Sequence, residues 1–400
     1  MSDSHKETSS TSLLPLILAS AACLQWLVVR ALHVHLPEPW VPLLPGVAII
    51  GAAFLVTWAA EAAEMDLPQS LSIAIVALIA VLPEYAVDLY FAWSAGKDPK
   101  YMSYAAANMT GANRLLIGIG WPAVLFAGWW AKGHSEIHLT KRNSLELVTL
   151  LIATLYSFIL PLKATISLMD TVVFFALFAA YGYLSSKASV EAPHLVGTAL
   201  MIADLPKVKR RTAVISVLVF AAGAIALAAE PFAEGILAMG RTWGVEEFLL
   251  VQWLAPLASE APEFVIAMLF AVRGKAQVGM RALVSSKVNQ WTMLIGALPV
   301  AYNLSAGHIM GMHLDERQVE EVLLTSAQSL FGMAILMNLN FAGKEAVALL
   351  VLFLIQMFFP QAAARYAFSA IYIVLALTLM VGQSSRRANL KQLIRDAFNA

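Results

Sequence analysis

The sequence predicts an all-α polytopic membrane protein with about 12 transmembrane helices, alternatively 11, arranged in two inverted repeats. Hydrophobic residues make up 60% of the 400 residues and charged residues only 13%, and the mean hydropathy is +0.73. This composition is typical of a membrane protein rather than of a soluble domain. Apolar segments of membrane-spanning length recur along the chain, and two of them carry the same Pro-Glu sequence.

Twelve segments are long and apolar enough to cross a bilayer. They lie near residues 12–32, 41–65, 68–95, 102–130, 144–161, 165–186, 212–240, 246–272, 279–304, 318–340, 344–359 and 363–382. A single helix broken at Pro360 would join the last two and give the count of 11. The polar N-terminus has no clear cleavage site, so we expect the first segment to be a retained span rather than a signal peptide.

A polar stretch from Ser186 to Arg211 separates the segments into two halves. We therefore expect five parts: an N-terminal tail with an extra helix at 1–40, a first repeat at 41–186, a cytoplasmic linker at 187–211, a second repeat with another extra helix at 212–383, and a basic cytoplasmic tail at 384–400.

The positive charges of the loops predict the orientation of the chain, because cytoplasmic loops carry the excess of Lys and Arg. With a cytoplasmic N-terminus and twelve spans, alternate loops place the basic residues inside. These are Lys132, Lys141, Arg142, residues 207–211, Arg273, Lys275, Arg281, Arg386, Arg387, Lys391 and Arg395. Both termini are then cytoplasmic, and the two halves have opposite orientations, as in many secondary transporters.

The two halves share a Pro-Glu helix. VLPEYAVDLYFAWSAGK contains Glu84, and EAPEFVIAMLFAVRGK contains Glu263; both segments continue with Phe-Ala and end in Gly-Lys. Both are followed by Leu-Ile-Gly, which ends 34 residues after Glu84 and 33 residues after Glu263. An ionisable residue in a membrane span is costly, so its duplication predicts an ion site.

Proline in a helix removes a backbone donor and frees carbonyl oxygens, which a bound cation can contact. With Glu84 and Glu263 beside Pro83 and Pro262, two repeats facing each other would supply two carboxylates to one metal site. Carboxylate, carbonyl, amide and hydroxyl oxygens suit calcium, and they also suit sodium or manganese.

The helix after each Pro-Glu segment carries further oxygen-bearing side chains. They are Asn108, Thr110 and Asn113 in the first half, and Ser285, Ser286, Asn289, Gln290 and Thr292 in the second. These residues are candidate cation ligands. The alternative is that they only form hydrogen bonds between neighbouring helices.

The chain resembles the cation/calcium exchanger superfamily, which comprises sodium/calcium and proton/calcium antiporters. The resemblance covers roughly residues 41–383. It rests on Leu82-Pro83-Glu84 with Gly111-Ala112-Asn113, and on Ala261-Pro262-Glu263 with the stretch from Ser285 to Asn289. It implies two inverted five-helix repeats that carry the Pro-Glu helices.

Some residues depart from the family pattern. Sodium-driven relatives have hydroxyl residues a few positions before Pro-Glu, whereas Ala80-Val81 and Ser259-Glu260 stand there in this chain. Ser259 is the hydroxyl candidate for a cation ligand, and the departure favours protons over sodium as the driving ion.

Two basic residues stand among the candidate ligands, Lys287 in the second half and Arg114 in the first. We expect their partners among Asp88, Glu260, Glu61, Glu64, Glu230 and Glu234, because buried charges of one sign seek the other. A Glu260–Lys287 pair is favoured. Glu260 also shares a helix face with Glu263, where two close carboxylates would favour a bound proton.

Four further glutamates lie near helix ends, in the similar segments AAEAAE (Glu61, Glu64) and AAEPFAE (Glu230, Glu234). They line the ion pathway or are ordinary interfacial carboxylates, since helix ends tolerate charge. Asp88, four residues after Glu84, lines the pathway or is a structural partner.

Other chemistries find little support in the sequence. HExxH and GxxxxGK[ST] are absent, and Cys23 is the single cysteine. His134 and His138 fall in a polar loop. The net charge is zero, so charge provides no argument for a nucleic-acid partner.

We therefore expect a membrane transporter, not an enzyme, in the cell (inner) membrane. It is expected to be a secondary cation antiporter that exchanges calcium or a similar cation for protons or sodium by alternating access. We expect it to bind inorganic cations and to lie in the lipid bilayer. No cofactor is expected. The alternatives are a sodium/proton antiporter of the same fold, a cation channel and an intramembrane enzyme.

Overall fold

The computed structural model describes residues 12–37, 39–66, 79, 81–187, 195–382 and 384–399. Helices dominate these ranges. They are α1 Leu14–Ala31, α2 Trp40–Ala63, α3 Leu82–Ala95, α4 Tyr101–Leu115, α5 Trp121–Lys132, α6 Ser144–Ser157, α7 Ile159–Lys163, α8 Leu168–Ser185, α9 Thr198–Ala203, α10 Lys207–Trp243, α11 Glu247–Val272, α12 Ala276–Asn289, α13 Ile295–Ala306, α14 Glu316–Leu336, α15 Gly343–Met357, α16 Ala362–Gly382 and α17 Ser384–Asn399.

The predicted all-α membrane fold is confirmed. Within the described ranges, nine helical segments have the length and apolar composition to cross a bilayer. The helices α15 and α16 are separate, with Pro360 between them, because proline cannot continue a helix and donates no backbone hydrogen bond. Residues 68–78 and 80 of the third predicted span lie outside the described residues, and the total of 12 or 11 spans stays a prediction.

The internal duplication is visible in the backbone conformation. Gly133 ends α5 with φ of 76°, and Gly307 ends α13 with φ of 74°. Ala164 and Leu339 precede corresponding helices, and both adopt positive φ, 51° and 57°, which is rare for residues with a side chain. Equivalent positions of the two halves therefore share unusual local geometry.

Short strands join the loops of one half to those of the other. β1 Glu136–His138 pairs antiparallel with β4 Asn340–Ala342, and β2 Thr165–Ile166 pairs antiparallel with β3 Met312–His313. β1 and β3 occupy equivalent positions in the two halves, and so do β2 and β4. Exchanging the halves therefore turns the β1–β4 pair into the β3–β2 pair. This is the arrangement expected of two similar halves that pack around a pseudo-twofold axis.

A π-helical turn interrupts the polar helix of each half. It spans Leu116–Gly120 between α4 and α5, and Gln290–Leu294 between α12 and α13. The wider turn rotates the residues that follow it relative to an α-helix, and such turns occur often at functional sites. Nothing in the sequence pattern predicted them.

The Cα packing divides the chain into two compact units. The first unit, residues 1–83 and 190–232, contains α1, α2, α9 and the start of α10. Ala59 and Ala62 of α2 pack with Ile202, Ala203 and Val214 in its core.

Asp66 and Arg210 form an ion pair in the first unit. The Arg210 guanidinium donates two hydrogen bonds to Asp66, with Nε–Oδ2 and Nη2–Oδ1 distances of 2.7 and 3.0 Å. These bonds lower the pKa of the Asp66 carboxyl below its ordinary value. The pair connects the end of α2 to the start of α10.

The second unit comprises residues 84–189 and 233–400. Its helices α4 and α11 pack very closely at Gly111, where an added Cβ would lie 1.7 Å from the Gln252 carbonyl oxygen. A hydrogen atom in place of a side chain is what allows the two backbones to approach. This close packing positions α4, the polar helix of the first half, against α11, the Pro-Glu helix of the second half.

Candidate functional site

Helix α3 places two carboxylates on one face. Glu84 lies in its first turn, and Asp88 follows one turn later, at i+4. Both side chains are buried. Pro83 also lies in this first turn, where proline is tolerated. It therefore does not kink the described part of α3, in contrast to the proline inside a helix that the sequence predicts.

Helix α11 supplies two more carboxylates. Glu260 is buried and Glu263 is half-buried, and they lie three residues apart. Here Pro262 is in the helix interior, as predicted. It cannot donate to the carbonyl of Ala258, which leaves that oxygen without its usual helical donor.

The four carboxylates form one cluster within the second unit. Glu84 lies near enough to Asp88 and Glu263 for their charges to act on it, and Glu260 interacts in the same way with the other three. The elements that carry them, α3 and α11, come from different halves of the sequence. The structure therefore brings together the two Pro-Glu motifs that the sequence singles out.

Much of the hydrogen-bonding capacity of this cluster is unused. Within the described residues, no hydrogen bond of standard geometry reaches Oε1 of Glu84, Oε2 of Glu263, or either carboxylate oxygen of Asp88 and Glu260. Buried oxygens without donors are costly and therefore rare in a folded protein. They are suited to binding protons or cations, which supply the missing positive charge.

Amide side chains adjoin the cluster. Asn108 lies beside Asp88, and Gln290, in the second π-helical turn, lies beside Glu84. Both amides are fully buried, and within the described residues no hydrogen bond of standard geometry engages their nitrogen or oxygen atoms. Asn289 accepts a hydrogen bond from the Tyr85 hydroxyl, with an oxygen–oxygen distance of 3.1 Å.

Lys287 is also part of this site, but the expected ion pair with Glu260 is not formed. Its Nζ donates to the backbone oxygen of Asn113 at 3.2 Å and to the Oδ1 atom at 2.6 Å. Glu84 and Glu260 act on Lys287 through their charges, and neither forms a salt bridge with it in the described part of the chain. The two residues interact through their charges without a salt bridge, because the lysine side chain reaches across to α4, and their role as a charge pair stays a prediction.

Arg114 has a partner that the sequence analysis did not consider. Its guanidinium forms a buried ion pair with Glu321 of α14, and Gln252 donates to the same carboxylate at 2.9 Å. Trp253 packs against the guanidinium with 5.0 Å between the central carbon and the ring centroid. The prediction that Arg114 pairs with one of the other acidic residues was wrong. These contacts connect α4 with α11 and α14.

Three hydroxyl candidates lie in less suitable surroundings. Ser259 donates within its own helix, to the carbonyls of Ala255 or Pro256 at 3.3 Å. Ser285 lies 3.3 Å from the Tyr181 hydroxyl of α8, and Ser286 is half-buried. Their assignment as cation ligands stays a prediction, with less geometric support than that of the carboxylates.

The four glutamates of AAEAAE and AAEPFAE are divided between the two compact units; Glu61 and Glu64 lie at the end of α2, whereas Glu230 and Glu234 lie inside α10, which continues to Trp243. Glu61, Glu64 and Glu230 belong to the first unit. Glu234 belongs to the second, where it accepts hydrogen bonds from the hydroxyls of Tyr90 and Tyr101 at 2.8 and 2.6 Å. A role in the pathway therefore stays a prediction for all four.

The sequence analysis missed Gln252 and Glu321 as residues of interest. Glu321 lies in a polar helix start, ERQVEE, which indicates exposure rather than the observed burial. Only the packing of α14 against α4 reveals it.

Solved structures similar to this chain include three kinds of exchanger. The H+/Ca2+ exchanger CAX is 48% identical, with a TM-score of 0.92 over 96% of this chain and 97% of that chain. YfkE, a Ca2+/H+ antiporter, is 16% identical, with a TM-score of 0.62 over 90% and 100%. The sodium–calcium exchanger NCX_Mj is 15% identical, with a TM-score of 0.52 over 86% and 99%. The last two share the fold. A search of curated proteins finds no match.

The family profile described as "sodium/calcium exchanger protein" matches residues 40–187 and 213–361, one segment in each half. The two matched segments leave out α1, α9, α16 and α17, and the expected division at 1–40, 41–186, 187–211, 212–383 and 384–400 stays a prediction. Its members are membrane transporters rather than enzymes, as expected from the sequence. The resemblance stated above is thereby confirmed, and the chain belongs to the sodium/calcium exchanger protein family.

Proposed function

We propose that this protein exchanges calcium for protons across the membrane by alternating access. The observation that carries the proposal is the convergence of four carboxylates with unused oxygens, two from each Pro-Glu helix. Glu84 and Glu263 are the central ligands, and Asp88 and Glu260 complete the acidic site. The repeats at 41–186 and 212–383 provide the two faces that open in turn.

The ligand chemistry favours calcium as cargo. Calcium binds 6–8 oxygen atoms from carboxylates, amides, backbone carbonyls and water, in a flexible geometry. Glu84, Glu263, Asn108 and Gln290 supply such atoms, and the Ala258 carbonyl lies one turn before Pro262. The similarity to CAX, a protein described as an H+/Ca2+ exchanger, supports the same assignment.

The charge of the site favours protons as counter-ion. Four ionised carboxylates would face one lysine, which leaves a large buried negative charge when calcium departs. Protons that bind to these carboxylates neutralise the site without needing further ligands. A sodium site needs oxygen ligands of its own, and the Ser259 hydroxyl is directed to its own helix.

Reconstituted vesicles test this function. Calcium uptake should follow an imposed pH gradient and stop when an ionophore collapses that gradient. Glu84→Gln and Glu263→Gln should each reduce uptake at least about a hundredfold, because each removes a charged ligand that calcium needs. Glu316→Gln, at an exposed position in the first turn of α14, serves as the matched control and should retain activity.

Three results would contradict the proposal. Undiminished uptake in both site variants would refute the ligand assignment. Uptake that follows a sodium gradient but not a pH gradient would show that sodium, rather than the proton, is the counter-ion. A calcium conductance without counter-flow would indicate a channel.

We also propose that the protein resides in the cell membrane with both termini in the cytoplasm. The support is the distribution of Lys and Arg, including the basic tail at 384–400. A fluorescent protein that matures only in the cytoplasm, fused to the C-terminus, should fluoresce. A reporter active only outside the membrane, fused at the same place, should be silent, and the opposite pair of results would reverse the orientation.

A further inference from the structure

Lys287 is unusual among the residues of the candidate site because it is a basic side chain among candidate ligands for a cation. Its side chain has no exposed surface. It lies on α12, the polar helix of the second half, and reaches Asn113 on α4, the polar helix of the first. A buried ammonium is costly and persists only with compensating interactions.

The oxygens that hold Lys287 are of the kind that calcium uses. Nζ donates to the backbone carbonyl and to the side-chain carbonyl of Asn113. The Asn113 amide nitrogen donates to the Met109 carbonyl at 2.8 Å, and this bond turns the side-chain oxygen toward the lysine. Two hard oxygen ligands are therefore held in place by the fold and occupied by the ammonium group.

The contacts of Nζ are those of a hydrogen-bond donor beside a ring that attracts cations. Lys287 donates to both Asn113 oxygens, which can only accept. The Trp291 ring lies on a further side of Nζ, with its centroid at 4.4 Å, and its face attracts a cation. Glu84 and Glu260 are close enough to add favourable charge interactions.

From these contacts we propose that Lys287 is a tethered cation that competes with calcium for the Asn113 oxygens and for the negative charge of Glu84 and Glu260. This inference rests on the proposed function. In the calcium-free site, the ammonium group occupies Asn113 and offsets part of the carboxylate charge. Calcium that binds to the carboxylates repels the ammonium group and takes its place at Asn113, so Lys287 weakens calcium binding and promotes its release.

Substitution of Lys287 tests the competition in purified full-length protein. Lys287→Gln removes the charge of the side chain. The dissociation constant for calcium, measured by isothermal titration calorimetry, should then fall about tenfold or more, because a positive charge that shares a buried site with calcium opposes its binding. Lys287→Arg keeps the charge and should bind calcium no more tightly than the wild type. Lys275→Gln removes a lysine exposed just before α12 and should leave the constant unchanged.

Transport kinetics provide a second readout that a purely structural lysine would not affect in this way. In vesicles, Lys287→Gln should lower the KM for calcium and also lower the turnover, since tighter binding slows release. Equal or weaker calcium binding by a folded Lys287→Gln protein would overturn the inference. A structural lysine would show lower thermal stability without tighter binding.

The wild-type protein supplies a test that does not depend on folding of the neutral variant. With lysine labelled with carbon-13 at the ε position, the resonance lost in Lys287→Arg belongs to Lys287. Saturating calcium should shift this resonance and leave that of Lys275 in place. An unchanged Lys287 resonance would overturn the inference. If the wild type neither binds nor transports calcium, the proposed function itself fails, whereas normal calcium exchange without these effects of Lys287 refutes only the competition.

Discussion

Gly111→Ala tests whether close packing of α4 and α11 builds the site. The added Cβ would lie 1.7 Å from the Gln252 carbonyl oxygen and 2.7 Å from its carbonyl carbon. Cβ contacts below 3.0 Å are essentially never found, and the obstacle here is backbone rather than a flexible side chain. The two helices must therefore separate by about 1.3 Å, the difference between 1.7 and 3.0 Å.

This separation has a cost in both stability and function. Overpacking a core typically costs 1–3 kcal/mol, and a clash between two backbones should cost about 3 kcal/mol or more. The bond from Gln252 Nε2 to Thr110 Oγ1 is already 3.4 Å long and would break. Because α4 carries Asn108 and Asn113 while α11 carries Glu260 and Glu263, we expect calcium exchange to be lost.

Thermal unfolding in detergent, followed by tryptophan fluorescence, and calcium uptake in vesicles measure the two effects. Gly182→Ala on α8 is the control, because nothing lies within 4 Å of the added Cβ. It should keep full activity and gain up to about 1 kcal/mol of stability from helix propensity. A Gly111→Ala protein that unfolds at the wild-type temperature and exchanges calcium normally would refute the packing argument.

Two further predictions concern charges outside the acidic cluster. Asp66→Asn should lower the unfolding temperature at neutral pH, because Arg210 stabilises the ionised Asp66 carboxylate and lowers its pKa. This difference from wild type should shrink as the pH falls below the ordinary carboxyl pKa of 3.8, since the stabilisation is lost as the folded protein takes up that proton. A difference that does not depend on pH between pH 7 and 3 would contradict the prediction. Glu321→Leu should lower the free energy of unfolding by about 3 kcal/mol or more, because it leaves the buried Arg114 charge without its partner. Arg114→Met in the same protein should recover most of that loss. Equal stability of the single and double variants would show that the two residues are not coupled.

The Pro-Glu duplication was predictable because the membrane makes it conspicuous. A carboxylate in an apolar span must have a reason, and Glu84 and Glu263 occur in matching contexts. Their opposite orientation in the predicted topology implied that they meet, and the structure places them in one cluster. Asn108 and Asp88 followed from the same reasoning, since they lie within the repeated segments.

The partners of the basic residues were not predictable in this way. Arg114 pairs with Glu321, which is 207 positions away, and Lys287 binds Asn113, which is 174 positions away. Charge complementarity restricts such partners to residues of suitable chemistry, but many acidic and amide residues qualify. Only helix packing selects one of them.

Hydropathy, proline placement and loop charge thus determine the class of this protein, its helical segments, its duplication and the carboxylates at its centre, because these properties depend on local sequence and on the cost of charge in lipid. The tertiary structure decides which atoms of the site remain available. It turns Asn113 toward Lys287 and inserts a π-helical turn at Gln290. Within the described residues, it leaves one oxygen of Glu84 and both oxygens of Glu260 without donors. Those outcomes depend on distances between helices that are far apart in the chain, and such distances are set by packing.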